Sequence, residues 1–597
     1  MDYMKRNKYI YGVMAVAALT ATLSCTDFDD YNSAFDGSSD NLGTKATQTL
    51  WANISSQQNL SQFSEVLKKT GFDKQLDGTR FYTVWAPENG TFNYDSLMAV
   101  DSTAMMDRFV QNHVANFNFP VTESTFNERV HMLNNKSYTF EGTANGTTFD
   151  GIKVDQANIP GINGTMHSLS NGAVAFLPSL YEYVLDTVEA KTASFDSISA
   201  YLFAKEERKP DYTKSIEGPI DENGNQTYSY IVYNVVNPLV GATEGRSVNS
   251  VNARWDIEDS TFTVVVPTNK AYIDAYERIA KCYNYVSSVN YWKFPEKTDV
   301  AATSEKVNVK VAQMDTTTTL TYLFNQSTFN NNNWRNRWLV NPNDPNKEKT
   351  NDTICSTRYY YFSNATELLN DHLVKRVRMS NGWAHIVDSL AYHPWEFWNP
   401  MIQVNIFSKD YRARVLAATP YTRSVAFDEL DTEKGTDLYR YLELQSADGA
   451  QSDSYFYING VRSTTYQVYV VTVPANIKIG STEPSRSYKF KVTMNYADAN
   501  GAVKAVGTPS VDLGTFTSDS TKIDTINVGK VTFPVAYYNT NAYPFIQIKS
   551  MRSTWNKKEW DTLDNDLRIA AIYLVPEDYD AYLKEQNEAN NPEQTEE

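Results

Sequence analysis

Cysteine and histidine are scarce in this chain. Its 597 residues hold three cysteines (Cys25, Cys282 and Cys355) and six histidines. Three cysteines in so long a chain exclude a disulfide framework. No Cys-x-x-Cys or His-x-x-x-His spacing exists to hold a metal ion. Asp27, Asp29 and Asp30 do not complete a calcium loop, because the glycine and the distal glutamate are missing at the required offsets. A Gly-x-Ser-x-Gly elbow and a phosphate loop are both lacking, so no cofactor and no catalytic residue is assigned. Carboxylates are plentiful, yet a hydrolytic pair is recognised only in space. Basic charge is short: 54 Lys and Arg face 71 Asp and Glu, for a net charge of −17. That balance argues against nucleic acid as a partner. Beyond the first 25 residues no run is apolar enough to cross a bilayer.

Apolar and aromatic residues are not short. Hydrophobic residues make up 41% and aromatics 13%, with 40 Tyr against 28 Phe. These suffice for several packed cores in a chain of this length. Tyr joins a large apolar face to a polar tip, which suits wet interfaces and sandwich surfaces.

The chain begins MDYMKRNKYIYGVMAVAALTATLSC. Lys5, Arg6 and Lys8 form a basic start, and Tyr9 to Leu23 is apolar but shorter than a membrane span. Small and apolar residues then lead to Cys25. This order resembles the lipobox of bacterial lipoprotein signals, with Thr22 where that family usually has Leu. The resemblance implies removal of residues 1–24 and acylation of Cys25. Several acyl chains, at about 0.8 kcal/mol per buried methylene, make a stable anchor. Thr26-Asp27-Phe28-Asp29-Asp30 resembles the acidic signal that sends some lipoproteins to the outer face of the outer membrane. Residues 25–45, rich in Ser, Asp and Gly, have the composition of a flexible tether.

Two ordered patterns then recur. In the first copy, Thr49–Leu76 carries apolar residues at helical spacing. Tyr82 to Trp85 alternates as a strand, Pro87 stops it, and Asn89-Gly90 turns the chain. Phe109 to Phe117 reads as a short amphipathic helix. Ser168 to Val184 reads as a Gly turn feeding a hydrophobic strand. The second copy carries Phe262-Thr-Val-Val-Val-Pro267-Thr268-Asn269 and Asn381-Gly382-Trp-Ala-His385-Ile-Val-Asp388. The two blocks resemble those of the fasciclin domain, over roughly residues 46–393. In the first copy Pro87, Asn89, His113, Asn171 and Gly172 fit, and Ala175 stands where the second block has its histidine. A strand ending in Pro-Thr-Asn gives a sharp exit and an N-cap. Asn-Gly permits a positive φ before the final strand. The expected architecture is therefore two α+β fasciclin-like domains (a β-wedge plus helices), at 46–187 and 188–393, followed by an antiparallel all-β sandwich.

That sandwich is expected at 394–577, from short strand-like runs such as Tyr439–Ser446, Thr465–Ala475, Ser487–Tyr496 and Thr532–Thr540. Leu567–Pro576 resembles the last strand of jelly-roll carbohydrate-binding modules. The acidic tail 578–597 is expected to fray. Two long interruptions in the second copy, 209–258 and 288–358, are of a length that is usually functional or disordered. Asp221 to Asn225 signals a hairpin turn in the first of them. Trp334 and Trp338 in the second are either ligand contacts or plugs on the domain core. Trp395 and Trp398, with Tyr392 and Phe397, are either a packed joint or a sugar-stacking platform. Cys282 and Cys355 either pair or stand as two buried thiols.

Fasciclin domains elsewhere serve adhesion and protein or glycan contact. The resemblance thus implies a non-catalytic lipoprotein facing the cell exterior from the outer membrane. Its expected partner is a SusC/SusD-type nutrient transporter complex, or else an extracellular glycan or protein of a matrix, host or neighbouring cell; a surface glycan-degrading enzyme acting through the sandwich is the remaining alternative. Cys25→Ala is expected to yield a folded protein released from membranes; cell fractionation checks this, and a variant that stays membrane-bound refutes the anchor.

Overall fold

The computed structural model describes residues 46–186, 196–241, 250–336, 353–447 and 449–590. The signal segment, Cys25, the whole tether and Trp338 lie outside the described residues.

The first unit is built on the buried strand Tyr82–Pro87. It runs antiparallel to Val114–Asn116 and parallel to Gly164–Leu169, which also pairs with Ile159–Gly161. A second sheet, Phe126–His131, Ser137–Thr143, Gly146–Phe149 and Ile152–Lys153, closes a wedge over Trp85. The Trp85 ring lies 4.2 Å from Phe149 and stacks on His167. Helices Leu50–Ser56 and Ser61–Thr70 cover the other side with Phe63, Val66 and Leu67.

The second unit repeats this sheet. Phe262–Pro267 lies between antiparallel Thr328–Asn330 and parallel Gly382–Val387, with Leu373–Met379 outside. The registers match residue for residue: Tyr82 opposes Gly164 and Phe262 opposes Gly382. Asn163-Gly164, and not Asn171-Gly172, is therefore the counterpart of Asn381-Gly382. His167 is the counterpart of His385, so the histidine is present in the first copy and Ala175 replaces nothing. The physical reason is steric. Gly164 and Gly382 have φ of 144° and 146°, and a Cβ there would lie 1.9 and 1.8 Å from the Tyr82 and Phe262 carbonyl oxygens. At Gly172 the nearest side-chain atom is 3.6 Å away.

The asparagines before these glycines do matching work. Asn163 accepts from the Leu50 amide and donates to the Leu76 and Gly78 carbonyls, each at 2.8 Å. Asn381 accepts from the Leu180 amide and donates to the Trp255 and Ile257 carbonyls, again at 2.8 Å. Leu180–Asp186 is consequently the opening helix of the second unit, so the boundary falls before Leu180 and not at 187–188. The hydrophobic strand expected after Gly172 is extended coil followed by this helix. Asn89 and Asn269 are also equivalent: their side chains accept from the Gln62 and Ser197 amides, pinning the neighbouring helix. Thr268 caps helix Asn269–Ala280 through the Ala271 amide. His113 is buried between the Phe109 carbonyl and the Val174 amide. Asp388 is exposed beside His372.

The units are tied together. Lys136 of the first, with its side chain 8% exposed, meets Glu182 and Glu258 of the second. Within the interruption 288–358, helix Val311–Phe324 and strand Thr328–Asn330 belong to the domain itself; the hairpin Ser288–Lys293 and Thr303–Asn308 is the true insertion. It lies on the sandwich, where the Asn290 amide donates to Gly501 and the Trp292 indole to Lys504. The other interruption forms a ribbon, Glu207–Ile220 against Gln226–Val236, turning at Asp221–Asn225 as expected.

The sandwich has two antiparallel sheets. One runs in the order Ala418–Ser424, Arg440–Ser446, Leu567–Pro576, Thr465–Thr472, Asp524–Thr532. The other runs Arg414–Leu416, Asp453–Tyr457, Phe545–Ser550, Ser487–Asn495, Val511–Thr517. Two expectations fail here. Phe533–Thr540 forms no strand, and Glu577–Asn590 is a helix in place of a frayed tail. That helix docks because Tyr579 and Tyr582 pack on Trp395 and Asp580 accepts from the Tyr469 hydroxyl.

Gly164→Ala or Gly382→Ala is expected to lower the melting temperature by about 5 °C or more, while Gly172→Ala shifts it by about 1 °C or less. Equal effects at all three positions would contradict the register. Burial also pushes His113, His167 and His385 down to about 4. The unfolded chain then binds protons that the folded one refuses. Stability is full above the ordinary histidine value and falls as pH drops from about 6.5 toward 4, by up to about 3 kcal/mol per site. His167→Gln should flatten the melting temperature's dependence on pH across that window; an unchanged slope would contradict this origin.

Candidate functional site

Three segments distant in the chain meet between the second unit and the sandwich. The first is helix Val311–Phe324, whose run Thr316–Thr319 is a poor intrinsic helix former. Burial of Thr319, Tyr322, Leu323 and Phe324 holds it. Its opposite stripe, Gln313, Thr317 and Thr321 at spacing four, lines a cleft. The second segment supplies Arg358 and Tyr360. The third is the sandwich loop Tyr538–Asn541. Together they enclose about 910 Å³.

The sandwich loop is pre-set. Asn539 and Asn541 take left-handed backbone, with φ of 57° and 61°. Between them Thr540 is buried; its hydroxyl donates to the Tyr537 carbonyl at 2.8 Å and accepts from the Ala542 amide. Both asparagine side chains are exposed, and neither makes a hydrogen bond among the described residues. On the opposite wall, Gln326 is held by the Ser356 hydroxyl at 2.6 Å, and Arg358 donates to the Ser250 carbonyl.

The floor is aromatic. Tyr322 stacks on Tyr283 at 5.3 Å and meets the Phe397 ring edge-on at 5.4 Å. Arg462 lies over Tyr538 at 4.8 Å and donates to the Trp398 carbonyl, which also accepts from the Tyr283 hydroxyl at 2.7 Å. Burial pushes the Tyr322 phenol well above its ordinary range, and Tyr285 up to about 12. These phenols stay protonated. The lining residues include no Asp, Glu, His or Cys. What the lining offers is hydroxyls, amides, the Lys310 ammonium, the Arg358 guanidinium and aromatic faces, a set that fits a hydroxyl-rich ligand.

The tryptophans named from sequence do not form this site. Trp398 is 1% exposed and is the joint to the sandwich. Trp395 packs against the rings of His393, Tyr579 and Tyr582. Trp398 is closed to a ligand by the sandwich, and Trp395 is half-buried against the C-terminal helix. Trp334 is 67% exposed, with Arg335 over its ring, so it does not plug the domain core. Cys282 and Cys355 are separate buried thiols. Among the described residues no group of three or more His, Cys, Asp or Glu could hold a metal ion. Sequence reasoning missed the cleft because its walls are adjacent only in space. The one local signal was Asn-Thr-Asn, 539–541, read as the end of a strand.

Residues 58–171 match the family described as the fasciclin domain. No curated protein matches the chain. A fasciclin domain pair from the insect cell adhesion molecule fasciclin I shares 14% identity, over 57% of this chain and 98% of that one, with a TM-score of 0.19. The xylan-binding domain of a Paenibacillus barcinonensis protein shares 8%, over 29% and 98%, with a TM-score of 0.20. A family 35 carbohydrate-binding module from Clostridium thermocellum shares 10%, over 29% and 96%, with a TM-score of 0.16. The chain consists of two α+β fasciclin-like domains followed by an antiparallel β-sandwich, the second domain repeating the sheet of the first.

Proposed function

We propose that this protein is a non-catalytic binding protein of the cell surface, tethered through Cys25, that holds a neutral glycan segment in the cleft between its second domain and its sandwich. The observation that carries the reading is the lining: threonine hydroxyls, asparagine and glutamine amides and tyrosine faces, beside the Lys310 ammonium and the Arg358 guanidinium and with no carboxylate, imidazole or thiol. Sugars present hydroxyls to such amides and flat C–H faces to such rings. A fasciclin domain fits a binding or adhesion role and brings no catalytic machinery of its own.

Work beside a SusC/SusD-type transporter in the outer membrane agrees with the lipoprotein-like start. An adhesin for matrix, host or neighbouring cells is the second reading. The ribbon Glu207–Val236 favours direct protein contact in either case. Among the described residues its two strands pair only with each other, and Tyr212, Ile220 and Tyr230 on it are exposed. Unpaired strand edges are ready sites for strand addition by a partner.

Asn539→Gly combined with Asn541→Gly keeps the left-handed backbone and removes both amides. This variant is expected to weaken glycan binding about tenfold, measured by glycan array and calorimetry on the full chain, with little change in melting temperature. Undiminished binding would place the ligand elsewhere, and an array with no neutral glycan bound would remove the reading.

A further inference from the structure

The outer face of the second sandwich sheet carries a charge arrangement that folding alone disfavours. In strand Ser487–Asn495, Tyr488, Phe490, Val492 and Met494 point into the core, which sends Lys489 and Lys491 outward. In the neighbouring strand Ile546 and Ile548 point inward, which sends Gln547 and Lys549 outward. The register sets Lys491 directly opposite Lys549. Like charges at directly opposed positions destabilise a sheet. Only Lys491 has a carboxylate partner, Asp512 at 2.6 Å on the edge strand. Lys489 and Lys549 have none among the described residues.

The surroundings are rigid and polar. The Gln547 amide donates to Asp453 at 2.7 Å and to the Tyr455 hydroxyl at 2.9 Å, and it accepts from Thr493 at 2.9 Å. Asp453 also accepts from the Tyr455 hydroxyl, so the carboxylate opposite Lys549 is already engaged. Exposed Thr515 lies opposite Lys491 and extends the row to the sheet edge. At the other end the inserted hairpin closes the face, with Phe294 against Tyr455 and Phe545. The result is an open shelf, stopped at one end, with lysines on rigid strands beside hydroxyls and amides.

We propose that this shelf binds an acidic polysaccharide, its carboxylates or sulfates pairing with Lys491, Lys549 and Lys489. The ligand's negative charge relieves the opposed lysines, and its hydroxyls meet exposed Thr515. The chain's net charge of −17 repels polyanions at long range, so attraction here is local and requires direct contact. The site is separate from the interdomain cleft and does not rest on the reading drawn from it.

The test is affinity electrophoresis of the full chain in gels containing polygalacturonate, dextran sulfate, neutral dextran or single-stranded DNA. Polygalacturonate or dextran sulfate should retard the protein, less so as salt rises, while neutral dextran and DNA do not. Lys491→Gln with Lys549→Gln should weaken retardation about tenfold, whereas Lys491→Arg with Lys549→Arg should retain it. The Gln pair should melt at or above the unaltered temperature, because it removes the repulsion. The Asn539→Gly, Asn541→Gly variant should be retarded normally, which separates this site from the cleft. Absence of retardation by both polyanions, full retardation of the Gln pair, or equal retardation by DNA would each overturn the proposal.

Discussion

Both fasciclin-like domains hang on one arrangement: an asparagine amide that satisfies three backbone groups, followed by a glycine pressed against the carbonyl of the central strand. Asn163 and Asn381 each join the first helix of a domain to the segment that leads into its central strand. The adjacent glycine lets the last parallel strand approach so closely that no side chain fits. An amide buried with its hydrogen-bonding groups met is stabilising, and one left unmet is costly. The helix start, the central strand and the closing strand are therefore fixed together.

The fold class was legible because the block Phe262–Asn269 and the block Asn381–Asp388 keep both period and punctuation. The first copy was harder to read. Asn171-Gly172 looks like the turn, but only Gly164 has the conformation that demands glycine. Sequence shows where a glycine is, and only packing shows where it is needed. In the sandwich, the buried strands Thr465–Thr472 and Leu567–Pro576 lie within runs that read as strands from their apolar and β-branched residues. Val511–Thr517 and Asp524–Thr532 do not, since Gly514, Gly529 and acidic residues mark partly exposed strands with one side near water. Thr532–Thr540 misled in the opposite direction: its apolar residues bury into the joint as irregular backbone.

The joint between the second domain and the sandwich behaves like an interior. Tyr283, Tyr322, Phe397, Trp398 and Tyr466 belong to one continuous buried cluster spanning both. Ser463 accepts the Asn284 amide, and Asn284 reaches the Pro534 carbonyl. The inserted hairpin adds a second attachment, seating Ser288 so tightly on Gly501 that a Cβ would lie 2.0 Å from its carbonyl oxygen. Trp395 is consumed by the same logic, since rings from the C-terminal helix pack against it. Aromatic residues that look like a binding platform in sequence are here the mortar of an interface, and the open hydroxyl surface lies beside them.

The cleft has walls from two domains, and this has a thermodynamic consequence. A ligand that touches both walls binds only while they are docked. Its occupancy is therefore linked to the docking equilibrium, and free ligand at a hundred times its dissociation constant adds about 2.7 kcal/mol to the docked state. For such a ligand, capture and stiffening of the joint would be one event: the loaded protein would resist being pulled apart there more than the empty one.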